Sequence, residues 1–258
     1  MIGKSNWVGY RDLVGQLVSK DLKLKYRRSF LGYLWSILNP LMVMFVMVLV
    51  FSNIFRFEIE NYPVYLIIGQ TIYNYVNNAT VHAIYSITDN GALLKKVYVP
   101  KYIFPMSKVT SDLLDFVFSL GAMILVMVVT GIRFSMYLIL IPYVAVELYV
   151  FTLGMGLFLA QAAVFFRDVR YIYNVFLVAW MYATPIFYPI SILPTRIRWI
   201  VTHLNPLYYY MEQFRCLVLE QRLPSPVLVA RGWIISLLVL GIGYLFFKKS
   251  EDKFILYI

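Results

Sequence analysis

The sequence predicts an all-α polytopic membrane protein, and three observations support this fold class. Of the 258 residues, 61% are hydrophobic and only 14% are charged, whereas a soluble domain averages roughly 25% charged residues. The mean hydropathy is +0.73. Apolar runs long enough to cross a bilayer as a helix of ~20 residues recur along the whole chain. We therefore expect six transmembrane helices in a single transmembrane domain over 1–258, with no separate soluble domain.

The six predicted spans are joined by short polar connections. Their bounds are about 33–55, 64–84, 106–130, 136–158, 172–188 and 227–247, and the fourth could continue to 166. The second span is unusual because it carries many amides and hydroxyls, among them Gln70, Asn74 and Asn78. Such groups cost free energy in contact with lipid, so this helix must face a bundle interior or a polar cavity.

Two further segments are too polar to span cleanly. Residues 10–28 place apolar side chains at helical spacing on one side and cations on the other. This pattern is typical of an interface helix whose cations lie over anionic membrane lipid, although a helix packed on protein fits it too. Residues 189–226 contain two short apolar pieces separated by Asn205-Pro206. Each piece is too short to cross, which favours two re-entrant or interfacial helices on the outer side.

The distribution of positive charge predicts the orientation. With the N-terminus in the cytoplasm, 16 lysines and arginines fall in inner segments and 7 in outer ones. This split places both termini in the cytoplasm. The net charge of +10 lies mostly beside apolar runs, so we expect contact with membrane lipid and not with nucleic acid.

Residues that could carry out a reaction are few. The chain contains no G-x-x-x-x-G-K-[ST] motif, so it does not hydrolyse ATP through a P-loop. Its single cysteine and two distant histidines indicate no metal centre and no cofactor in this chain. Asp112, Asp115 and Glu147 are the notable intramembrane carboxylates. The first two could pair with Lys108 on the same helical face; the role of Glu147 is left open.

Residues 88–105 form a short basic connection between spans two and three. Leu93, Leu94 and Val97 would share one side of a brief helix that also carries Lys95 and Lys96. Two prolines then stop it, at positions 100 and 105. The segment is suited to contact a soluble partner, and an ordinary positively charged inner loop is the alternative. The adjacent opposite charges Arg167-Asp168, which end span four, could link the end of this helix to cytoplasmic segments, and a solvated turn is the alternative.

Aromatic residues make up 18% of the chain, and four of them occur within spans beside amides. They are Tyr73, Tyr75, Trp180 and Tyr182, and Asn77 lies among them. Interfacial aromatic belts explain many such residues. A flat apolar face with a polar handle also suits sugar rings, so these five residues are candidates for a sugar-chain path.

Several stretches together resemble one family. They are KYRRSFLGYLWSILNP at 25–40, LLKKV at 93–97 followed by Pro100, FFRDV at 165–169, YATPIFYP at 182–189, and Asn205-Pro206. In this order and spacing they resemble the permease subunit of ABC-2 type exporters for cell-surface polysaccharides, which include O-antigen, rhamnan and teichoic acid exporters. The resemblance covers nearly the whole chain.

The resemblance implies partners and a mechanism. Six spans would form one half of a homodimer that works with two ATPase subunits, which bind ATP and Mg²⁺, in the cytoplasmic membrane of a bacterium. Asn90, Leu93, Leu94, Lys95, Lys96 and Val97 would then dock on the ATPase, with Arg167 and Asp168 near the same interface. The substrate would be a lipid-linked glycan or polyol-phosphate chain, whose diphosphate head group Arg27 and Arg28 could attract. The alternatives are a permease of this type for drugs or lipids, a membrane-embedded glycosyl- or acyltransferase, and a passive channel.

Overall fold

The computed structural model describes residues 4–25, 29–54, 59–96 and 99–257. Within these ranges the chain is helical and contains no β-strand. Ten α-helices follow in order: α1 Lys4–Lys25, α2 Trp35–Ile54, α3 Tyr62–Asp89, α4 Gly91–Leu94, α5 Ile103–Thr130, α6 Ile141–Phe165, α7 Val169–Ala183, α8 Thr195–Leu204, α9 Pro206–Val218 and α10 Pro226–Ser250. Short 3₁₀ turns occur at Gly32–Leu34, Met136–Leu140, Ile190–Ile192 and Glu251–Leu256.

Local sequence signals set the helix ends. Asn205 and Ser225 cap α9 and α10, because their side chains accept hydrogen bonds from the backbone N–H groups of Leu207 and Leu228. Proline follows each cap, at a position where its missing N–H costs nothing. Gly131 ends α5 with φ of 73°, a left-handed conformation that glycine adopts freely.

Four segments are long and apolar enough to cross a membrane. They are Gly32–Phe51, Ile103–Thr130, Met136–Phe165 and Pro226–Leu256, and they coincide with predicted spans one, three, four and six. Helix α3 has 28 residues but is more polar, and α7 has only 15 residues. The structure therefore supports a multi-pass helical protein, and the crossing of α3 and α7 stays a prediction.

Helix α3 lies at the centre of the bundle, packed against α5 and α6. Its apolar side chains Leu66, Ile67 and Ile72 are fully buried. Close approach is possible because α6 carries Gly156, where an added Cβ would lie 3.1 Å from Ala83 of α3 and from a side chain of α5. The amide-rich helix therefore has most of its surface covered by protein, as the sequence predicts.

Long-range contacts define two ends of the bundle. At one end, Arg170 in the first turn of α7 bonds to Thr88 near the end of α3, and Lys101 bonds to the backbone of Glu251 after α10. At the other end, Tyr62 at the start of α3 donates to the carbonyl of Phe187 after α7. Successive long helices thus alternate in direction. We call the first end, which carries Lys95, Lys96, Lys101, Lys248 and Lys249, the lysine-rich end.

Candidate functional site

The predicted partner-docking segment, 88–105, is anchored at the lysine-rich end. The Asn90 amide donates to the carbonyl of Ser86 over 2.8 Å, which joins the segment to α3. Leu94 is buried in a second core that includes Phe104, Phe247 and Phe254. These contacts fix the segment on the bundle, so a force applied to it would pass to α3 and α5.

The outward part of the same segment differs in one respect from the prediction. Leu93 is 36% exposed while Leu94 is 7% exposed, so the two leucines do not share a side. The reason is that neighbouring residues of a helix point in directions about 100° apart, so the turn that places Leu94 against the bundle leaves Leu93 exposed. Lys95 and Lys96 are exposed, and Val97 lies outside the described residues. The exposed surface thus combines one leucine with two lysines.

The C-terminal turn Glu251–Leu256 completes this end and was not predicted from the sequence. The Lys101 ammonium donates to the backbone carbonyl of Glu251 and lies 5.8 Å from the ring centre of Phe254. Phe254 itself is fully buried against Phe247, with ring centres 5.2 Å apart. The loop after α4 is therefore held by the end of the chain as well as by α3.

Arg170 links α7 to α3, a role that sequence reasoning gave to Arg167-Asp168. Its guanidinium donates to the Thr88 hydroxyl over 3.1 Å and lies 4.7 Å from the ring centre of Tyr85. Arg167 and Asp168 are exposed in the turn between α6 and α7. They remain available to a partner, whereas Arg170 connects two helices within the chain.

Two ion pairs and one histidine–carboxylate hydrogen bond join α1, α3 and α5 beside a cavity of about 400 Å³. Asp21 pairs with Lys108 at 2.8 Å, and Lys25 pairs with Asp115 at 2.6 Å. His82 bonds to Asp112 at 2.8 Å. The predicted pairing of Lys108 with carboxylates of its own helix is wrong, because α1 supplies the opposite charges.

Most of the predicted sugar-path aromatics are buried within the single chain. The Tyr73 hydroxyl donates to the carbonyl of Leu177 over 2.6 Å. Tyr75 packs on Phe116 with ring centres 5.2 Å apart, and the Trp180 indole donates to the side chain of Asn205 over 2.9 Å. These three residues hold α3, α5, α7 and α9 together.

A polar stripe on α3 is the surface that sequence reasoning did not resolve. We define it by Asn74, Asn78, His82 and Asp89, which are exposed and follow one side of an otherwise buried helix. Asn77 is half-buried beside it and donates to Asn78 over 3.1 Å. If α3 crosses the membrane as predicted, polar side chains along it are not expected to face lipid.

The predicted outer segment, 189–226, contains α8 and α9, which meet at Asn205-Pro206, the point that separates the two predicted pieces. The Asn205 amide donates to the Thr184 hydroxyl over 2.9 Å. Arg215 of α9 donates to the carbonyl of Pro185 over 2.7 Å and stacks 3.6 Å from the ring centre of Tyr65. The segment is thus fastened to the beginning of α3 and to the residues that follow α7; its depth in the membrane and the side on which it lies stay predictions.

Among the residues that the structure describes, one group of side chains has the spacing to offer ligand atoms to a cation. The ligand atoms of Glu212, Cys216 and Glu220 lie within 4.8 Å of one another. Burial raises the pKa of the Cys216 thiol to about 12, so it keeps its proton, and Glu220 pairs with Arg222 at 2.5 Å. A protonated thiol and a neutralised carboxylate are poor ligands, and the group does not define a metal centre.

These features define a multi-pass α-helical membrane protein with a basic, anchored loop at one end and a polar stripe along its central helix. The family model described as the ABC-2 type transporter matches residues 12–219, and the chain belongs to that family. The family resemblance seen in the sequence is thereby confirmed.

Curated relatives match nearly the whole chain. The O-antigen export system permease protein RfbA of Myxococcus xanthus is 32% identical over 246 residues, 95% of each chain. The protein of the same name from Klebsiella pneumoniae is 30% identical over 94% of this chain and 93% of its own. The capsule polysaccharide export inner-membrane protein CtrC of Neisseria meningitidis serogroup A is 23% identical, over 79% of this chain and 77% of its own.

Proposed function

We propose that this chain is the permease subunit of an ATP-driven exporter that moves a lipid-linked cell-surface polysaccharide across the bacterial cytoplasmic membrane. The observation that carries the proposal is its near full-length similarity to O-antigen export permeases at 32% and 30% identity. The capsule export relative extends the substrate class to other polysaccharide chains. Teichoic acid as a substrate is supported by the sequence resemblance alone. Drug or lipid transport and a transferase activity gain no support from these relatives.

In this proposal six helices cross the membrane: α2, α3, α5, α6, α7 and α10. The polar face of α3 is shielded by protein, and the short α7 is extended by the residues up to Tyr188. The lysine-rich end lies in the cytoplasm, because inner segments of membrane proteins carry an excess of lysine and arginine. Both termini are then cytoplasmic, and α8 and α9 lie on the outer side as re-entrant helices.

The ATPase subunits act on the permease at its lysine-rich end, so that ATP hydrolysis moves this end. Two ATPase subunits, which hold the ATP and Mg²⁺, dock on the exposed part of 88–105 in two copies of the permease. Leu93, Lys95, Lys96 and Val97 make the contact, Asn90 and Leu94 anchor it, and Arg167 with Asp168 lies beside it. Support comes from the burial of Leu94 in the second core, which lets movement of the docked segment reach the spans.

The polysaccharide path lies along the polar stripe of α3, where it faces the second copy. Asn77 and the 61% exposed Tyr182 offer hydrogen bonds and an aromatic face to sugar rings. Tyr73, Tyr75 and Trp180 contribute indirectly, because they hold together the helices that line the path. Arg27 and Arg28, which lie outside the described residues, attract the diphosphate head group at the inner membrane surface.

Deletion and complementation test the proposal. Loss of the gene should abolish one surface polysaccharide and leave its lipid-linked precursor inside the cell, and the wild-type chain should restore export. Lys95→Glu with Lys96→Glu should fail to restore it and should lose copurification of a P-loop ATPase. The matched control reverses Arg133 and Arg231, two exposed charges elsewhere in the chain, and should retain the ATPase. Intact surface polysaccharide after deletion would refute the proposal.

A further inference from the structure

An apolar groove of about 360 Å³ runs between α5, α6 and α10. Its walls are formed by Met106, Leu153, Leu157, Leu237, Leu240 and Gly241. Tyr102 and Tyr244 also line it, and both belong to the lysine-rich end. The groove is separate from the polar stripe, and it meets the docking segment at Tyr102.

Gly241 keeps the groove open. An added Cβ at this residue would have no atom within 4 Å, apart from its own helix. At Gly243, one half-turn further along α10, a Cβ would meet the backbone of α6 at 2.1 Å. The two helices are therefore in tight contact beside Gly243 and leave a channel beside Gly241. A side chain larger than hydrogen at 241 would occupy that channel without striking the neighbouring helix.

The surroundings of the groove are those of a lipid-facing surface. The outward side of α10 carries exposed Leu237, Leu238, Ile242, Leu245 and Phe246. In a bilayer such a surface meets hydrocarbon tails. A groove left empty there would lose dispersion contacts on both walls, and water would find polar side chains only at the end formed by Tyr102 and Tyr244. Hydrocarbon is the occupant that this chemistry favours.

The cytoplasmic end of the groove favours a negatively charged lipid. The Lys248 ammonium lies 5.8 Å from the ring centre of Tyr244, and Lys249 follows in the last turn of α10. The lysine-rich end of the bundle carries Lys101, Lys248, Lys249 and Lys253, and the acidic residues Glu251 and Asp252 lie near them. Tyrosine and lysine at the end of a span lie at head-group depth, where each added cation attracts anionic lipid.

We propose that this groove binds one acyl chain of an anionic phospholipid from the cytoplasmic leaflet, with its phosphate between Tyr102, Tyr244 and Lys248. The groove is closed toward the bundle by Leu153 and Leu157 and offers room for a single chain. Because the bound lipid lies between α5 and α10, it couples the composition of the inner leaflet to the helices that flank the docking segment.

Photolabelling of the full-length chain in nanodiscs tests the proposal. The probe is phosphatidylglycerol with a diazirine in its acyl chain, diluted into phosphatidylcholine, and mass spectrometry locates the labelled residues. We expect labels on the groove-lining residues of α6 and α10. Gly241→Phe fills the groove and should abolish them, whereas Ile242→Phe, at an exposed position that faces away from the groove on the same helix, should leave them unchanged.

Charge is tested with the Lys248 and Lys249 pair. One lysine near an anionic surface contributes about 1 kcal/mol, so Lys248→Gln should lower the preference for phosphatidylglycerol over phosphatidylcholine about fivefold. Lys249→Gln should have less effect. The proposal is overturned by equal labelling in wild type and Gly241→Phe, or by equal labelling with phosphatidylglycerol and with a phosphatidylcholine probe that carries the same diazirine. It is also overturned if unlabelled polyprenyl phosphate displaces the probe at lower concentrations than unlabelled phosphatidylglycerol does.

Discussion

Gly154 of α6 and Gly243 of α10 lie backbone to backbone. A Cβ built on Gly243 would come 2.1 Å from the carbonyl oxygen of Gly154, and one built on Gly154 would come 2.5 Å from the backbone nitrogen of Leu240. In a bilayer, helices of equal hydrophobicity to the lipid associate through such close packing between small residues. This crossing fixes α10 on the rest of the bundle.

The first prediction follows from that crossing. Gly243→Ala should push α10 from α6 and lower stability by about 1–3 kcal/mol, because the obstructing atoms are backbone and cannot rotate away. Thermal unfolding followed by size-exclusion chromatography measures the loss. Gly241→Ala is the matched control, since its Cβ meets nothing within 4 Å. An unchanged melting midpoint for Gly243→Ala would show that the helices can separate without cost.

The sequence was sufficient for the fold class and for the order of the long helices, because apolar run length and proline positions are local properties. It could not give the partners of charged residues. Lys108 could reach Asp112 on its own helix, yet Asp21 is the partner, since α1 returns 87 residues away in sequence to lie on α5. The same limit applies to the contact between Arg170 and Thr88, because these residues become neighbours only after folding.

A second feature that the sequence could not give is which side of a helix is buried. The amides and tyrosines of α3 indicated a helix in contact with protein, but not which side turns inward. Tyr73 and Tyr75 face the core while Asn74 and Asn78 are exposed. Neighbouring residues of a helix point in directions about 100° apart, so only the packing on α5 and α6 decides between them.

The second prediction concerns Asn205, which joins three elements. Its side chain accepts from the Trp180 indole at 2.9 Å and from the backbone N–H of Leu207 at 3.1 Å, and donates to Thr184 at 2.9 Å. Asn205→Ala leaves a buried indole N–H without a partner and removes a helix cap, at a cost of about 1–3 kcal/mol. The melting midpoint should fall, with Asn74→Ala, an exposed amide on α3, as the control.

Export assays add a functional readout to the same variant. Since Asn205 fastens the outer segment to α7, Asn205→Ala should lower polysaccharide export more than it lowers the amount of protein in the membrane. If Asn205→Ala kept both the stability and the export activity of the wild type, the hydrogen bonds of Asn205 would not be what holds the outer segment.

The third prediction concerns the attachment of α1. The Lys25 ammonium and the Asp115 carboxylate are 2.6 Å apart and partly exposed, with 43% and 17% of their side chains accessible. Pairs of this kind contribute about 0.2–1 kcal/mol and weaken with salt. Lys25→Glu should therefore raise hydrogen exchange in the last turns of α1 without unfolding the bundle.

The reversed pair provides the control. Lys25→Glu combined with Asp115→Lys restores opposite charges and should restore slow exchange, whereas Lys23→Glu, an exposed neighbour, should change little. If the double variant exchanges as fast as Lys25→Glu, attraction between these two residues does not hold α1 in place.

The last prediction assigns a structural role to Glu147, which is fully buried between α6, α9 and α10. One carboxyl oxygen accepts from the Gln213 amide at 3.2 Å, and the other has no partner among the described residues. Gly232 makes room for it, since a Cβ there would lie 1.9 Å from the carboxyl oxygen.

A buried charge with a single hydrogen bond costs free energy, so Glu147→Gln should keep or raise the melting midpoint. Glu147→Ala leaves Gln213 unsatisfied and should lower stability by about 1–3 kcal/mol, and Gly232→Ala should lower it too by displacing the carboxyl group. If Glu147→Gln abolished export while the protein stayed folded, the carboxyl group would have a part in transport, and the structural assignment would be wrong.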